Sequence, residues 1–171
     1  LHETVDLDLA AAQQRFLDRD LTLLVQSEAQ VPELREAPAW VRQLVLATDN
    51  FLFARPLPDL PDGESVIAGY PWFGDWGRDT MIALPGLTLA TGHRDIARRI
   101  LLTFARFIDQ GLLPNQLPAT GEQLAYNTVD AALWYIEAWR AYLETSADTQ
   151  SLADVFPVLQ AIITWHLTGT R

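Results

Sequence analysis

Gly69-Tyr70-Pro71-Trp72-Phe73-Gly74-Asp75-Trp76-Gly77-Arg78-Asp79-Thr80 packs three glycines, a proline, four aromatics, two aspartates and an arginine into one short stretch. Neither an apolar helix face nor an alternating strand is built this way. Glycine and proline fix an irregular backbone, and loops carried on a rigid scaffold are where binding groups concentrate. Aromatic planes beside carboxylates and a guanidinium suit a ligand with apolar faces and many hydroxyls, which is the chemistry of a sugar. The same residues also permit a structural turn, with Asp79 capping the next helix, Arg78 paired to Asp75 and the Trp rings in the core. Composition leaves those two readings level, so the flanking sequence has to separate them.

Downstream, the pattern is helix upon helix. A helix starting at Asp79 or Thr80 is expected to run to Ala90, with Pro85 kinking it or tightening a turn and Thr91-Gly92 ending it. Arg94 to Gln110 has the clearest periodicity, with Ile96, Ala97, Ile100, Leu101, Phe104, Phe107 and Ile108 on one face. Leu112 to Gly121 is a second irregular loop rich in Pro, Gly and amides. Asn127 or Thr128 then caps a helix to about Leu143, and a last helix spans about Leu152 to Leu167.

Upstream, residues 1 to 9 alternate as a short strand or extended lead-in. A helix over about Leu9 to Glu28 is expected to bury Leu9, Ala12, Phe16, Leu17, Leu21, Leu24 and Val25. Pro38 opens a second, burying Trp40, Val41, Leu44, Val45, Ala47, Thr48, Phe51 and Leu52. Residues 55 to 64 form a Pro-rich connection. Ser65 to Gly69 is β-prone and expected to pair with Phe51 to Ala54 before delivering the chain to the opening loop.

Bulk properties narrow the classes. The 171 residues suit one domain with a real core, and no apolar run approaches the roughly 20 residues of a membrane span. A net charge of −10 argues against nucleic acid as a partner. All twelve cations are Arg, which reads as composition bias. Without Cys, disulfides and thiolate chemistry are excluded, and the three scattered His offer no metal-site spacing, so neither metal nor cofactor is expected. No leader is visible, which points to a cytoplasmic protein, although the chain begins at Leu1 and its native N-terminus is not visible.

Antiparallel helices joined by alternately short and long connections can close into a ring that collects its long loops at one rim. Residues 69–80 and 113–130 each precede a helix and are separated by one helical hairpin. They therefore fall on the same rim, with Trp76, Arg78 and Asp79 near Asn127 to Asp130. The expected fold class is all-α.

At this point the motifs resemble a known family. Ile67 through Leu87, reading IAGYPWFGDWGRDTMIALPGL, resembles the signature of the amylo-α-1,6-glucosidase domain of glycogen debranching enzymes. Gly111-Leu112-Leu113-Pro114-Asn115 and Tyr126 through Trp134 (YNTVDAALW) follow in the family's order. The resemblance covers residues 40 to 145 and is highly specific, because three motifs recur together. It implies part of an (α/α)6 toroid related to glucoamylases, an inverting glycoside hydrolase, and an α-glucan such as glycogen as partner. By resemblance, Arg78 and Asp79 grip the terminal glucose.

A complete toroid has about twice the helices this chain can hold, and the family's later Trp-Met-Asp motif, expected to carry the general acid, is absent. So is the carboxylate expected to act as base. The chain is thus expected to be one partial domain: lead-in and first helices over 1–54, connection and sugar loop over 55–80, helical hairpins over 80–171. Its acid and base lie beyond Arg171, it is inactive alone, and an apolar face left by the missing half invites self-association.

Inverting hydrolysis needs an acid and a base carboxyl about 6.5–9.5 Å apart. Asp79, held ionised by its neighbouring Arg, suits sugar binding better than proton donation. Asp130 is the one candidate for a catalytic role, against a capping-box reading of Asn127-x-x-Asp130. Asp75 supports Arg78 or meets the ligand. Trp76 is the leading stacking platform, with Trp72 and Trp134 beside it, while Trp40, Trp139 and Trp165 are assigned to packing. Tyr126, Asn127 and Asn115 complete the candidate substrate-binding set. Two rival readings stay open: a non-catalytic α-glucan-binding or scaffold module, and a piece of another toroid glucosidase of the glucoamylase or trehalase kind.

Overall fold

The computed structural model describes residues 8–70, 72–117 and 123–170. Among them are six α-helices and one two-stranded sheet, so the fold is mainly α. The helices are α1 (Leu9–Gln30), α2 (Ala39–Thr48), α3 (Gly77–Leu84), α4 (Arg94–Ala105), α5 (Asp130–Ser146) and α6 (Thr149–Thr168). Strands β1 (Leu52–Ala54) and β2 (Glu64–Val66) pair antiparallel with Leu52 opposite Val66, so the β-prone segment finds the partner expected of it. The alternating lead-in over residues 1–7, Pro71 and residues 118–122 lie outside the described residues.

The core is built by α3, α4 and α5 against the sheet. Ala97, Ile100, Leu101 and Phe104 of α4 are fully buried, joined by Met81 and Leu84 of α3 and by Ala131, Ala132, Tyr135, Ala138, Trp139 and Tyr142 of α5. Helix α6 closes one side through Val155 and Ile162. Tyr135 satisfies its hydroxyl on the Leu101 carbonyl at 3.0 Å, which lets so large a phenol sit in the apolar interior.

Helix α3 starts two to three residues earlier than the periodicity suggests, and it continues into a π-helical turn at Pro85–Leu89. Pro85 has no N–H to donate, and the ladder resumes one residue wider, with Ala90 N–H reaching the Pro85 carbonyl at 3.0 Å. Helix α4 ends at Ala105 rather than Gln110. The residues that follow form a tight hairpin in which Asp109 and Leu112 exchange both backbone hydrogen bonds around Gln110 and Gly111, each at positive φ.

The first two helices depart furthest from expectation. Leu9, Phe16, Leu17, Leu21 and Val25 of α1 are exposed, and the residues it buries are Leu23 and Ser27. Trp40 and Leu44 of α2 are exposed as well, with Val45 buried. The cause is partnership: α1 packs on α2 and touches the turn after α3, where Ser27 Oγ donates to the Thr91 carbonyl, while Leu9, Phe16, Leu17, Leu21 and Val25 on its wider apolar face stay exposed. Periodicity marked an apolar stripe correctly without saying whether anything covers it. Trp139 is core as expected, whereas Trp40 is not a packing residue and Trp165 is only partly covered.

Candidate functional site

The two polar-aromatic loops are sewn together by their backbones. Gly77 N–H donates to the Asn115 carbonyl at 2.9 Å, Leu117 N–H to the Asp75 carbonyl at 3.1 Å, and Trp76 and Gln116 form an antiparallel bridge. Asn115 N–H in turn reaches the Ala125 carbonyl at 2.7 Å, which draws the segment before α5 alongside. A Cβ on Gly77 would lie 2.3 Å from the Pro114 carbonyl oxygen, so this close approach needs glycine. The loops expected on one rim are therefore neighbours.

Helix α3 begins at Gly77 with Trp76 as its N-cap and no side-chain cap bond. Asp79 is consequently the third helical residue, exposed and not the cap that a structural turn would make of it. Arg78 projects across to α5, with Nη1 3.6 Å from Asp130 Oδ2 and both side chains about half exposed. Asp130 is the first residue of α5, after an N-cap, Val129, that offers no side-chain bond. The capping box read from Asn127-x-x-Asp130 does not form, because α5 begins at Asp130 with Val129 in the N-cap position, which puts Asn127 two residues too early to cap it.

Asp130, Leu133, Trp134 and Glu137 sit at successive i, i+3, i+4 and i+7 positions and line an open hollow of about 460 Å³ on one face of α5. Trp134 is 39% exposed there. On the first loop, Trp72 is 84% exposed, and Phe73 packs edge-on against Trp76 with ring centroids 6.3 Å apart. The Asp130 carboxylate, the Arg78 guanidinium and the Trp134 indole are thus brought together at the start of α5. They can accept from, donate to and stack on a polyhydroxylated ring.

Four buried polar atoms at this joint have no hydrogen-bond partner: Trp76 Nε1, Thr80 Oγ1, Asn115 Oδ1 and Thr128 Oγ1. Asn127 is exposed. Tyr126 has its hydroxyl committed to the Phe107 carbonyl at 2.8 Å, anchoring the segment before α5 to the end of α4.

The pairing expected for Asp75 is corrected. Its partner is Arg55, with Nη1 to Oδ1 at 3.3 Å and Nε to Oδ2 at 3.1 Å, and not Arg78. Asp75 is 1% exposed. Burial pushes its carboxyl above the ordinary range, while Arg55 and then the nearby Ser65 hydroxyl pull it back. Arg55 opens the Pro-rich connection, where nothing in the sequence distinguishes it from any linker arginine.

Set against known proteins, residues 46–171 match the family model described as amylo-alpha-1,6-glucosidase. The chain belongs to the amylo-alpha-1,6-glucosidase family. Over 93 residues, 52% of its length, it is 38% identical to the glycogen debranching enzyme of Saccharomyces cerevisiae (strain ATCC 204508 / S288c). The match covers 6% of that protein, so the chain spans a small part of its curated relative. Within this family member, α1 and the first part of α2 lie before the matched stretch, while both loops, the hollow on α5 and the core lie inside it. Among the described residues no helix is long and apolar enough to cross a membrane, and no cluster of three or more His, Asp or Glu is placed to hold a metal.

Proposed function

We propose that the edge formed by the two loops and the start of α5 holds the terminal glucose of an α-glucan in a debranching α-1,6-glucosidase. The observation that carries this is the Arg78–Asp130 bridge at the mouth of the Trp134 hollow, on loops that bear the family's motifs. Asp79 and Asp130 accept from sugar hydroxyls, Arg78 donates to others, and Trp76, Trp72 and Trp134 offer ring faces. Asp130 serves binding here, beside the Arg78 guanidinium. Tyr126 and Asn115 shape the joint, and Asp75 supports it from below.

In this reading the parent protein is an inverting hydrolase built on an (α/α)6 toroid, and the acid and base come from elsewhere in it. The test is glucose release from a branched limit dextrin by the full-length protein and by its Asp79→Asn variant. A loss of about 10- to 100-fold in kcat/KM is expected from removing one charge-assisted hydrogen-bonding group. Wild-type rates in Asp79→Asn overturn the role given to that residue. Glucose release by the 171-residue chain alone overturns the placement of the acid and base outside it.

A further inference from the structure

We propose that Arg55 is a positioning residue for the glucose-holding loop, acting through Asp75. The inference rests on the reading of that loop as a sugar site. Arg55 lies just after β1, fixed by its own N–H to the Gly63 carbonyl at 2.7 Å. Its guanidinium faces Asp75 with two nitrogens, one in a hydrogen bond and the other in Coulombic contact at an angle poor for hydrogen bonding. The pair is well covered, with side-chain exposures of 17% and 2%.

What makes this pair more than ballast is where Asp75 sits in the chain. Its own carbonyl accepts the Leu117 N–H, Gly74 before it accepts from Ala68 N–H at 2.9 Å, and Trp76 after it bridges to Gln116. Gly77, two residues on, is the start of α3, and Arg78 and Asp79 follow at once. The carboxylate is therefore the side-chain anchor of a backbone segment fastened to Ala68 on one side and to the second loop on the other. Held in place, it fixes Trp76 and the first turn of α3 relative to Asn115 and Asp130. Released, a buried carboxylate without a counter-charge has to leave the interior or take up a proton.

Arg55 is the charged group facing Asp75. From β2 the neighbouring side chain is Ser65, whose hydroxyl is close but not aligned for a hydrogen bond, and the second loop presents the Leu117 N–H to the Asp75 carbonyl. In Arg55→Gln the counter-charge is gone and only the weaker pull of Ser65 and the backbone opposes burial, so the carboxyl moves further up. The loop then opens as pH rises and that carboxyl ionises. In Arg55→Gln/Asp75→Asn no charge is buried, and the pH dependence disappears.

The experiment is hydrogen exchange at the Gly77 and Leu117 amides of the full-length protein, read across pH alongside calorimetric titration with a maltooligosaccharide. In Arg55→Gln both amides lose at least about tenfold protection, increasingly so at higher pH, and sugar affinity falls in parallel. The double variant folds without a buried charge, and its amides lose severalfold protection independently of pH. Wild-type protection at these two amides in either variant overturns the proposal, as does a loss spread evenly over the core with no pH dependence. Arg78→Ala separates the two readings: unchanged sugar affinity in that variant overturns the sugar site itself, whatever the amides report.

Discussion

Arg78 in the first turn of α3 meets Asp130, the first residue of α5, at 3.6 Å, so two helix N-termini converge on one ion pair. Asp130 is favourably placed, because the N-terminal end of a helix attracts negative charge. Arg78 is not, since a cation in the first turn opposes the dipole by about 0.3–1 kcal/mol. Its position is therefore not explained by helix stability, and a half-exposed pair contributes at most about 1 kcal/mol to folding.

Arg78→Ala accordingly changes thermal stability little while weakening glucan binding. Removing a charged donor from sugar hydroxyls costs about 1.5–3 kcal/mol of affinity, roughly 10- to 100-fold in Kd. Melting curves and maltooligosaccharide titrations on the same variant check both halves. A large drop in melting temperature with unchanged affinity would show the pair to be structural.

Gly77 and Gly74 form a matched pair of controls for the joint between the loops. A methyl on Gly77 meets the Pro114 carbonyl oxygen and the Leu113 side chain, whereas one on Gly74 meets nothing within 4 Å. Gly77→Ala is expected to destabilise by about 1–3 kcal/mol through overpacking against backbone. Gly74→Ala is expected to be neutral, or to stabilise by up to about 1 kcal/mol through the unfolded chain. Denaturant melts of the two variants decide this, and equal stabilities would mean that the loops do not approach as closely as Gly77 requires.

Much of the fold was legible because α4 writes its buried face without ambiguity: Ala97, Ile100, Leu101 and Phe104 recur at helical spacing and are all interior. The same logic misled for α1, where Phe16, Leu17 and Leu21 form a weaker apolar stripe that faces outward. Periodicity reports an apolar face, and only tertiary contact decides its fate. At the site, the convergence of the two loops could be argued from connectivity, and Arg78, Asp79 and Asp130 from the motifs. The Arg55–Asp75 pair could not, because its partners are separated by a strand and a Pro-rich turn and no local pattern links them. Nor could the failure of the Asn127 cap, since α5 starts at Asp130 behind Val129 and the sequence offered Asn127 and Thr128 as equally good starts.

Asp148 gives the fold an acid limit that can be measured. It caps α6, its Oδ1 accepting the Ser151 N–H at 2.9 Å, while Oδ2 accepts the Tyr142 hydroxyl at 2.7 Å and lies 3.6 Å from Arg98 Nε. Ser151, through its hydroxyl and its N–H, and then Tyr142 hold the carboxyl down at about 2, against an ordinary value of 3.8. A depressed folded value means the unfolded chain binds the proton more readily. The stabilisation is therefore complete above the unfolded value and fades as pH falls from 3.8 toward 2. Asp148→Asn keeps a good capping side chain but has no proton to gain, so its stability curve is flatter across that window. Melting temperatures of the two proteins between about pH 5 and pH 2 test this, with wild type losing more of its margin at the acid end. Parallel curves would mean that the cap is already loose in the folded state, and that α6 is held by its packing through Val155, Val158, Leu159 and Ile162 instead.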